Sequence, residues 1–377
     1  MQPTQLSVSI LVTSLIMALI AGSLKHLWTN VTGDLALLNA VKYQILQPNL
    51  IDGIHQIVEA FNRTNRDHPK LIYLIHSRNV DFAENLACNL QIVASSRIHG
   101  NILFVAFDGV SQERMKTLWI PNNVLYLPFD ELYANLTAKQ YNTDFDITWA
   151  IRTRLATMIS QHFDGMFCFS TVDTIWLRDF SSVLHFQRTR PKWDIIMDTV
   201  GYWGPMATIP DLGTYCVRSS NRTRLFMETL LATIVPANST VVAHDSTAIQ
   251  QLCHLRYANV TCEFLRKNHI ASSAYYLLTP TQRKRSASIA IRYSVWPYQN
   301  QHLNLNTTVE NLQRWKMNFV TADQNGSVNR RCSLELVKQI RLNSVALWMD
   351  PVSLRLAVPY IVHSWLQFVL QWVPMIN

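Results

Sequence analysis

Glycine is scarce, at 10 residues in 377, and proline reaches only 14, which excludes collagenous and linker-rich chains. Charge is scarce as well: 15% of the residues are Asp, Glu, Lys or Arg against 49% hydrophobic, so the chain is not an intrinsically disordered one. Sustained heptads and short internal repeats are absent, which removes fibres and solenoids. The six cysteines contain no C-x-x-C pair, which removes the usual zinc and redox spacings. No aromatic-interleaved RNA-binding motif, zinc finger or helix-turn-helix pattern occurs, so nucleic acid is not an expected partner. What is present is a globular chain with 11 Trp, 13 Tyr and 15 Phe, long enough for two or three domains or for one α/β domain with an anchor. The net charge of +8 allows an acidic partner, such as anionic lipid or a diphosphate, without choosing among them.

The longest uncharged apolar stretch, Ser7 to Leu24, sits at the amino end. It is at the short limit for crossing ~30 Å of hydrocarbon, so it reads as a signal anchor or a cleaved signal peptide. No Lys or Arg precedes it and Lys25 follows, which leaves orientation to other signals. Asn-x-Ser/Thr sequons occur at Asn30, Asn62, Asn135, Asn221, Asn238, Asn259, Asn306 and Asn325, where composition alone would give about four. The excess points to a lumenal body. Cys88, Cys168, Cys216, Cys253, Cys262 and Cys332 allow 15 disulfide pairings, while Cys88 and Cys168, each in an apolar stretch, read equally well as buried thiols.

Residues 25–68 are mixed in pattern and read as a stem; from Leu71 the texture changes. Leu71–His76 is a short β-prone run, and Phe82, Leu86, Leu90 and Val93 recur at helical spacing. Ile102–Asp108 predicts a buried strand ending in a carboxylate, followed by a helix at Gln112–Leu118 and a strand at Val124–Leu127. Ile151, Leu155, Met158 and Ile159 predict a helix that leads through Gly165 into a hydrophobic strand ending at Asp173. Strands at Asp194–Thr199 and Gly213–Arg218 and helices at Arg222–Ile234 and Asp245–Leu255 follow. This alternation predicts a parallel sheet covered by helices, one domain over residues 69–335, whose ligands gather at the carboxyl ends of the strands. Beyond it, residues 336–377 carry an amphipathic pattern, Val362, Trp365, Leu366, Val369 and Val373 on one side, which either docks on the domain or lies at a membrane surface.

Val172-Asp173-Thr174-Ile175-Trp176-Leu177-Arg178-Asp179 resembles the signature of the nucleotide-diphospho-sugar transferases of glycosyltransferase fold type A, a strand ending in Asp-x-Asp and continuing with an apolar pair, Trp, Leu and Arg. Asn85–Leu90 is similar to that family's early helix, Thr214–Thr223 to its central strand and turn, and His244-Asp245-Ser246 to its later Asn-Asp-Gln element. The resemblance covers roughly residues 70–275. It implies an α/β fold with a Rossmann-like mixed sheet flanked by helices, a sugar nucleotide as donor, and Mn²⁺ or Mg²⁺ at the diphosphate, held by Asp173. Arg154 stands where relatives have Lys or Arg for the diphosphate, and Asp108 and His76 are candidate contacts to base or ribose. His244 and Asp245 are the candidate catalytic pair on the acceptor side; a helix start with Asp in its first turn explains both without chemistry.

The departures are specific. Thr171 replaces the first Asp of Asp-x-Asp and offers a hydroxyl but no charge. The late metal-binding His of the family is absent from Ile291–Trp296, and His302 is the nearest substitute. Arg283-Lys284-Arg285 reads as a solvated loop or a contact to diphosphate or an acidic acceptor. The expected function is therefore a retaining glycosyltransferase acting on a glycan or glycoprotein, single-pass type II in the Golgi or endoplasmic reticulum membrane, or secreted. The alternative is a glycoprotein that kept the fold as a binding module and lost catalysis.

Overall fold

The computed structural model describes residues 48–64, 69–94, 96–129, 144–179, 193–199, 210–234, 245–265, 270–271, 281, 290–292, 319–321 and 331–339. The apolar amino-terminal run, the amphipathic carboxyl end, His244, His302 and Arg283-Lys284-Arg285 lie outside them. Among the described residues no helix is long and apolar enough to cross a membrane.

The chain enters with helix α1 (Pro48–Asn62), followed by β1 (Lys70–Ile75), α2 (Val80–Val93), β2 (Ile102–Ala106), α3 (Gly109–Leu118) and β3 (Val124–Tyr126). Helix α4 (Asp144–His162) leads into β4 (Met166–Ser170) and the short β5 (Thr174–Trp176). Then come β6 (Ile195–Thr199), β7 (Pro210–Arg218), α5 (Asn221–Ile234), α6 (Asp245–His254) and β8 (Cys262–Phe264). The seven-stranded sheet has the order β3-β2-β1-β4-β7-β6-β8. Strands β1 and β2 are buried at every position, which is why they read as unbroken apolar runs rather than alternating ones.

Alternate residues of each strand feed two cores. Ile72, Leu74, Leu103, Val105, Phe167 and Met197 meet α1, α4, α5 and α6 on one face. Leu71, Tyr73, Phe104, Cys168 and Ile196 meet α2 and α3 on the other. The chain therefore winds β1-α2-β2-α3-β3 over one face, crosses by α4 on the opposite face, and inserts β4 on the far side of β1. The crossover direction reverses between β1 and β4, and in open α/β sheets the crevice at such a reversal is where ligands bind.

Several expectations are corrected. The sheet is mixed, as the family resemblance implied, and not the parallel one that the alternation alone suggested: β7 runs antiparallel to both β4 and β6. Strand β4 stops at Ser170, and Thr171-Val172-Asp173 form a turn before β5, which pairs antiparallel with β10 (Ala290–Arg292) in a second sheet, where β10 also runs parallel to β9 (Ile270–Ala271). The segment expected to be a stem contains α1, which buries Ile54, Ile57, Val58 and Phe61 in the core at i, i+3, i+4 and i+7 spacing. All six cysteines are paired, Cys88–Cys332, Cys168–Cys216 and Cys253–Cys262, so neither Cys88 nor Cys168 is a free thiol.

Two of these pairings follow from the fold. Cys168 and Cys216 stand directly opposite in the β4–β7 register. Cys88 of α2 ties down a late hairpin, β11 (Val320–Thr321) and β12 (Arg331–Cys332), across 244 residues of chain. Closing so long a loop restricts the unfolded chain by about 5 kcal/mol in the entropic model. Phe319, fully buried beside that hairpin, donates its N–H to Asn85 Oδ1 of α2 at 2.6 Å. Helix α2 is thus a hub for sequence-distant parts, and the same helix positions the turn after β4.

Candidate functional site

Because β1, β2 and β4 are parallel neighbours, the residues that follow them emerge side by side: Asp108 after β2, His76 after β1, and Thr171-Val172-Asp173 after β4. Adjacent strands lie ~4.8 Å apart, so Asp108 and Asp173 flank His76 across about 10 Å of the sheet's carboxyl edge. Strand β6 is parallel to β4 through β7 and adds Asp198, 2% exposed, at the same edge.

The Thr171–Asp173 turn is held from three sides. Thr171 donates its N–H to Gly213 O at 2.8 Å, and its hydroxyl lies 3.5 Å from that of Thr174. Asn89 of α2, completely buried, mimics a strand: its Oδ1 accepts Trp176 N–H at 2.7 Å and its Nδ2 donates to Trp176 O at 2.9 Å. The Trp176 indole N–H reaches Tyr73 OH of β1 at 2.7 Å. Burial raises the Tyr73 pKa further above its ordinary range, so the hydroxyl stays protonated. Asp173, 7% exposed, is thereby fixed at the reversal point of the sheet. Asn89→Ala strands a buried N–H and a buried carbonyl of Trp176. It is expected to cost about 2–6 kcal/mol in urea unfolding, since each unsatisfied group costs ~1–3 kcal/mol; a loss below about 1 kcal/mol, close to the ordinary surface-mutation range, would show the clamp to be incidental.

His76 and Asp108 are joined through the loops they start. Asp108 caps α3, its Oδ1 accepting Ser111 N–H at 2.8 Å, while its Oδ2 takes Ser111 Oγ–H at 2.9 Å and Ser77 N–H at 2.7 Å. These bonds give the Asp108 carboxylate a structural task that accounts for its presence. His76 accepts Arg78 N–H on Nδ1 at 3.3 Å, which places the ring proton of the neutral form on Nε2. Burial pushes the His76 pKa down to about 4; the Asp108 charge pulls it up and the Arg78 charge pushes it down again. His76 is therefore neutral at physiological pH.

The sign of the pH dependence follows. The unfolded chain binds a proton at His76 below about pH 6.5 while the folded chain resists it down to about pH 4, so stability falls as pH drops through that window. His76→Asn is expected to remove about 2 kcal/mol of the loss between pH 7 and pH 5, measured as the difference in unfolding free energy between wild type and variant at each pH. Parallel curves would show that His76 is not buried in its neutral form.

Arg154 and Arg152 exchange their expected prominence. Arg154 sits half-buried on α4, where burial lowers its pKa and the charge of Glu228 on α5 partly offsets this. The arginine at the sheet's carboxyl edge is Arg152, whose Nη1 donates to Leu212 O at 2.6 Å and whose guanidinium lies 5.2 Å from the Tyr215 ring centroid. Leu212 there adopts a left-handed φ of 52°, uncommon for a branched side chain. Arg152 and Asp198 were not singled out by sequence reasoning; an Arg two residues away in the helix and an Asp inside an apolar strand were the available signals. Asp245 is the first residue of α6.

Among the described residues no three His, Cys, Asp or Glu side chains group closely enough to hold a metal ion. The turn offers one carboxylate, Asp173, and the hydroxyls of Thr171 and Thr174. That oxygen donor set does not make a self-contained protein cage. It fits Mg²⁺ or Mn²⁺ taking one carboxylate from protein and most other ligands from substrate phosphate and water.

A family model for nucleotide-diphospho-sugar transferases matches residues 97–292, more than half of the chain. Among solved structures, the apo bifunctional glycosyltransferase WbbM is similar with a TM-score of 0.40 and 11% identity over 72% of this chain, which spans about half (51%) of WbbM. Mouse xyloside xylosyltransferase 1 in its apo form gives 0.39 and 10%, over 59% of this chain and 97% of that one. The galactosyltransferase LgtC, in complex with donor and acceptor sugar analogues, gives 0.35 and 11%, over 76% and 99%. No curated protein matches the chain significantly. The strand-end turn carrying Asp173 and most of the seven-stranded sheet fall inside the matched span, and the chain belongs to the nucleotide-diphospho-sugar transferase family.

Proposed function

We propose that this chain transfers a sugar from a nucleotide-diphosphate sugar to a glycan or glycoprotein acceptor in the lumen of the secretory pathway. The observation that carries the reading is the buried Asp173, fixed by Asn89 and Tyr73 at the β1–β4 reversal with His76 beside it. The donor's base and ribose would lie over the β1 and β2 ends, beside His76, and its diphosphate over the β4 turn. A divalent cation bound there would neutralise charge on the departing diphosphate. Asp173 would hold that cation, the Thr171 hydroxyl would bond a ribose or cation-bound water oxygen, and Arg152 would add positive potential at the edge. Retention by front-face attack needs this leaving-group stabilisation more than a protein nucleophile. His244 and Asp245 would serve the acceptor side.

The compartment reading is supported by three disulfides, which persist in oxidising compartments, and by the exposure of Asn62, Asn221 and Asn259. With the apolar run Ser7 to Leu24 as its anchor, the chain is a type II protein of the Golgi or endoplasmic reticulum membrane; cleavage there would make it secreted. Thr171 in place of a carboxylate favours a second reading, a binding module without turnover. A panel of UDP- and GDP-sugars, incubated with the purified protein with and without Mn²⁺, separates them. Metal-dependent release of nucleoside diphosphate is the expected result. Binding without release supports the second reading, and no binding of any sugar nucleotide overturns both.

A further inference from the structure

The sequons that fall on described residues share a place in the fold that their positions in sequence do not suggest. Asn62 ends α1, and its sequon threonine, Thr64, is bonded by Lys70 Nζ, which also donates to Asn101 Oδ1 at 2.6 Å. Lys70 opens β1 and Asn101 immediately precedes β2, so Asn62 lies at the amino ends of those strands. Asn221 opens α5 just after β7; Arg218 is in register with Met166, the first residue of β4, and Ser219 N–H reaches Gly165 O at 2.9 Å. Asn259 precedes Thr261, whose backbone exchanges hydrogen bonds with Asp194 just before β6: Thr261 N to Asp194 Oδ2 at 2.9 Å and Asp194 N to Thr261 O at 2.8 Å. All three asparagines are exposed. All three stand at the amino edge of the sheet, separated from the Asp108–His76–Asp173 edge by the length of β1, six residues or about 20 Å.

Two further observations bear on the pair Asn221 and Asn259. Arg222 Nη1 donates to Asn259 O at 3.1 Å, so the two sites are neighbours in space. Asn259 itself has a φ of 57°, in a stretch where Arg256 and Ala258 are also left-handed, and the Cys253–Cys262 disulfide brackets the loop. Asparagine tolerates that backbone better than most residues, which by itself explains an Asn there. Thr64 and Thr223 likewise have structural hydrogen bonds, Thr223 accepting from Ser220 N–H at 2.9 Å. Those tasks account for single residues. They do not account for three complete sequons on one edge.

We propose that Asn62, Asn221 and Asn259 carry N-linked glycans, which cover the pole of the domain opposite the sugar-nucleotide edge and leave that edge to donor and acceptor. A glycan is bulky and hydrophilic, so a macromolecular acceptor approaches from the strand carboxyl ends. The inference rests on the lumenal reading, and its test is chosen to stand apart from the catalytic one. The full chain is expressed in animal cells and site occupancy is read by glycopeptide mass spectrometry, with glycans expected at all three asparagines. A triple variant, Asn62→Gln, Asn221→Gln and Thr261→Ala, spares the left-handed Asn259 and is expected to lose three glycans. UDP affinity in that variant should change by less than about two-fold, because sites so far apart act independently.

The mirror variant is Gly109→Asn, which creates an Asn-Val-Ser sequon beside Asp108, where a side chain at 109 meets nothing within 4 Å. A glycan there should block UDP binding by about ten-fold or more, equivalent to ~1.4 kcal/mol, and amidase treatment should restore it. Absence of glycans at any of Asn62, Asn221 or Asn259 overturns the assignment. So does a triple variant that loses UDP affinity ten-fold. If the wild type binds no UDP the catalytic proposal fails, while the occupancy measurement still decides this one.

Discussion

Deleting the chain through Asn62 is expected to abolish folding, although Pro48–Asn62 precedes every described strand and lies in a stretch that looks like a stem. Helix α1 places Ile54, Ile57, Val58, Ala60 and Phe61 in the core that covers one face of the sheet. Phe61 stacks edge-on against Phe163 with ring centroids 5.0 Å apart, and a Cβ at Gly53 would stand 2.0 Å from Leu127 Cδ2, so α1 meets both the α4 end and the β3 end of the sheet. Each large aliphatic or aromatic side chain among these contributes about 1.5–3 kcal/mol on burial. Four of them amount to roughly the 5–15 kcal/mol by which whole domains are stable. Removing α1 also uncovers Leu127, Phe163 and their neighbours to water. Circular dichroism and thermal unfolding of residues 63–377 beside the full chain check this: loss of the cooperative transition is expected, and a transition within a few degrees of the full chain's would return α1 to the stem.

That helix shows what the sequence made legible and what it hid. The i, i+3, i+4, i+7 spacing of Ile54, Ile57, Val58 and Phe61 was a readable signal. It was masked by reading the segment through its position between an apolar run and the first strand. Strands β1 and β2 and the turn at Asp173 were legible because central strands buried on both faces leave unbroken apolar runs that end where polar residues emerge. The reversal of β7 was not, since strand direction is set by tertiary pairing with β4 and β6 rather than by the composition of Gly213–Arg218. Nor could the pairing of Cys168 with Cys216 be read before the β4–β7 register was known.

The site followed the same division. Asp173, His76 and Asp108 sit at strand ends and could be found from local pattern. Asn89 acts across 87 residues of sequence, and only its polar character inside the helix that carries Leu86 and Leu90 hinted at a buried hydrogen-bonding task. The choice between Arg152 and Arg154 turns on helix phase: two residues along α4 rotate a side chain by about 200°, so one guanidinium reaches Leu212 O while the other feels Glu228.

The central claim is that the β4 turn binds the diphosphate of a sugar nucleotide through a cation held by Asp173. Asp173→Asn keeps the shape of the side chain while removing its charge, and hard divalent cations depend on that charge. Thr171→Asp supplies a second carboxylate in the same turn, where the described donor set has one carboxylate and two hydroxyls. The first substitution is therefore expected to lower metal-dependent nucleotide affinity at least ~100-fold, about 2.7 kcal/mol, and the second to raise it. Both should keep a cooperative unfolding transition, because Asn89 and Tyr73 hold the turn through Trp176. The most direct measurement is isothermal calorimetry of UDP with and without Mn²⁺ on wild type, Asp173→Asn and Thr171→Asp. The account predicts Mn²⁺-dependent binding in wild type, none in Asp173→Asn, and tighter binding in Thr171→Asp; equal UDP affinity in all three proteins, with or without Mn²⁺, would contradict it.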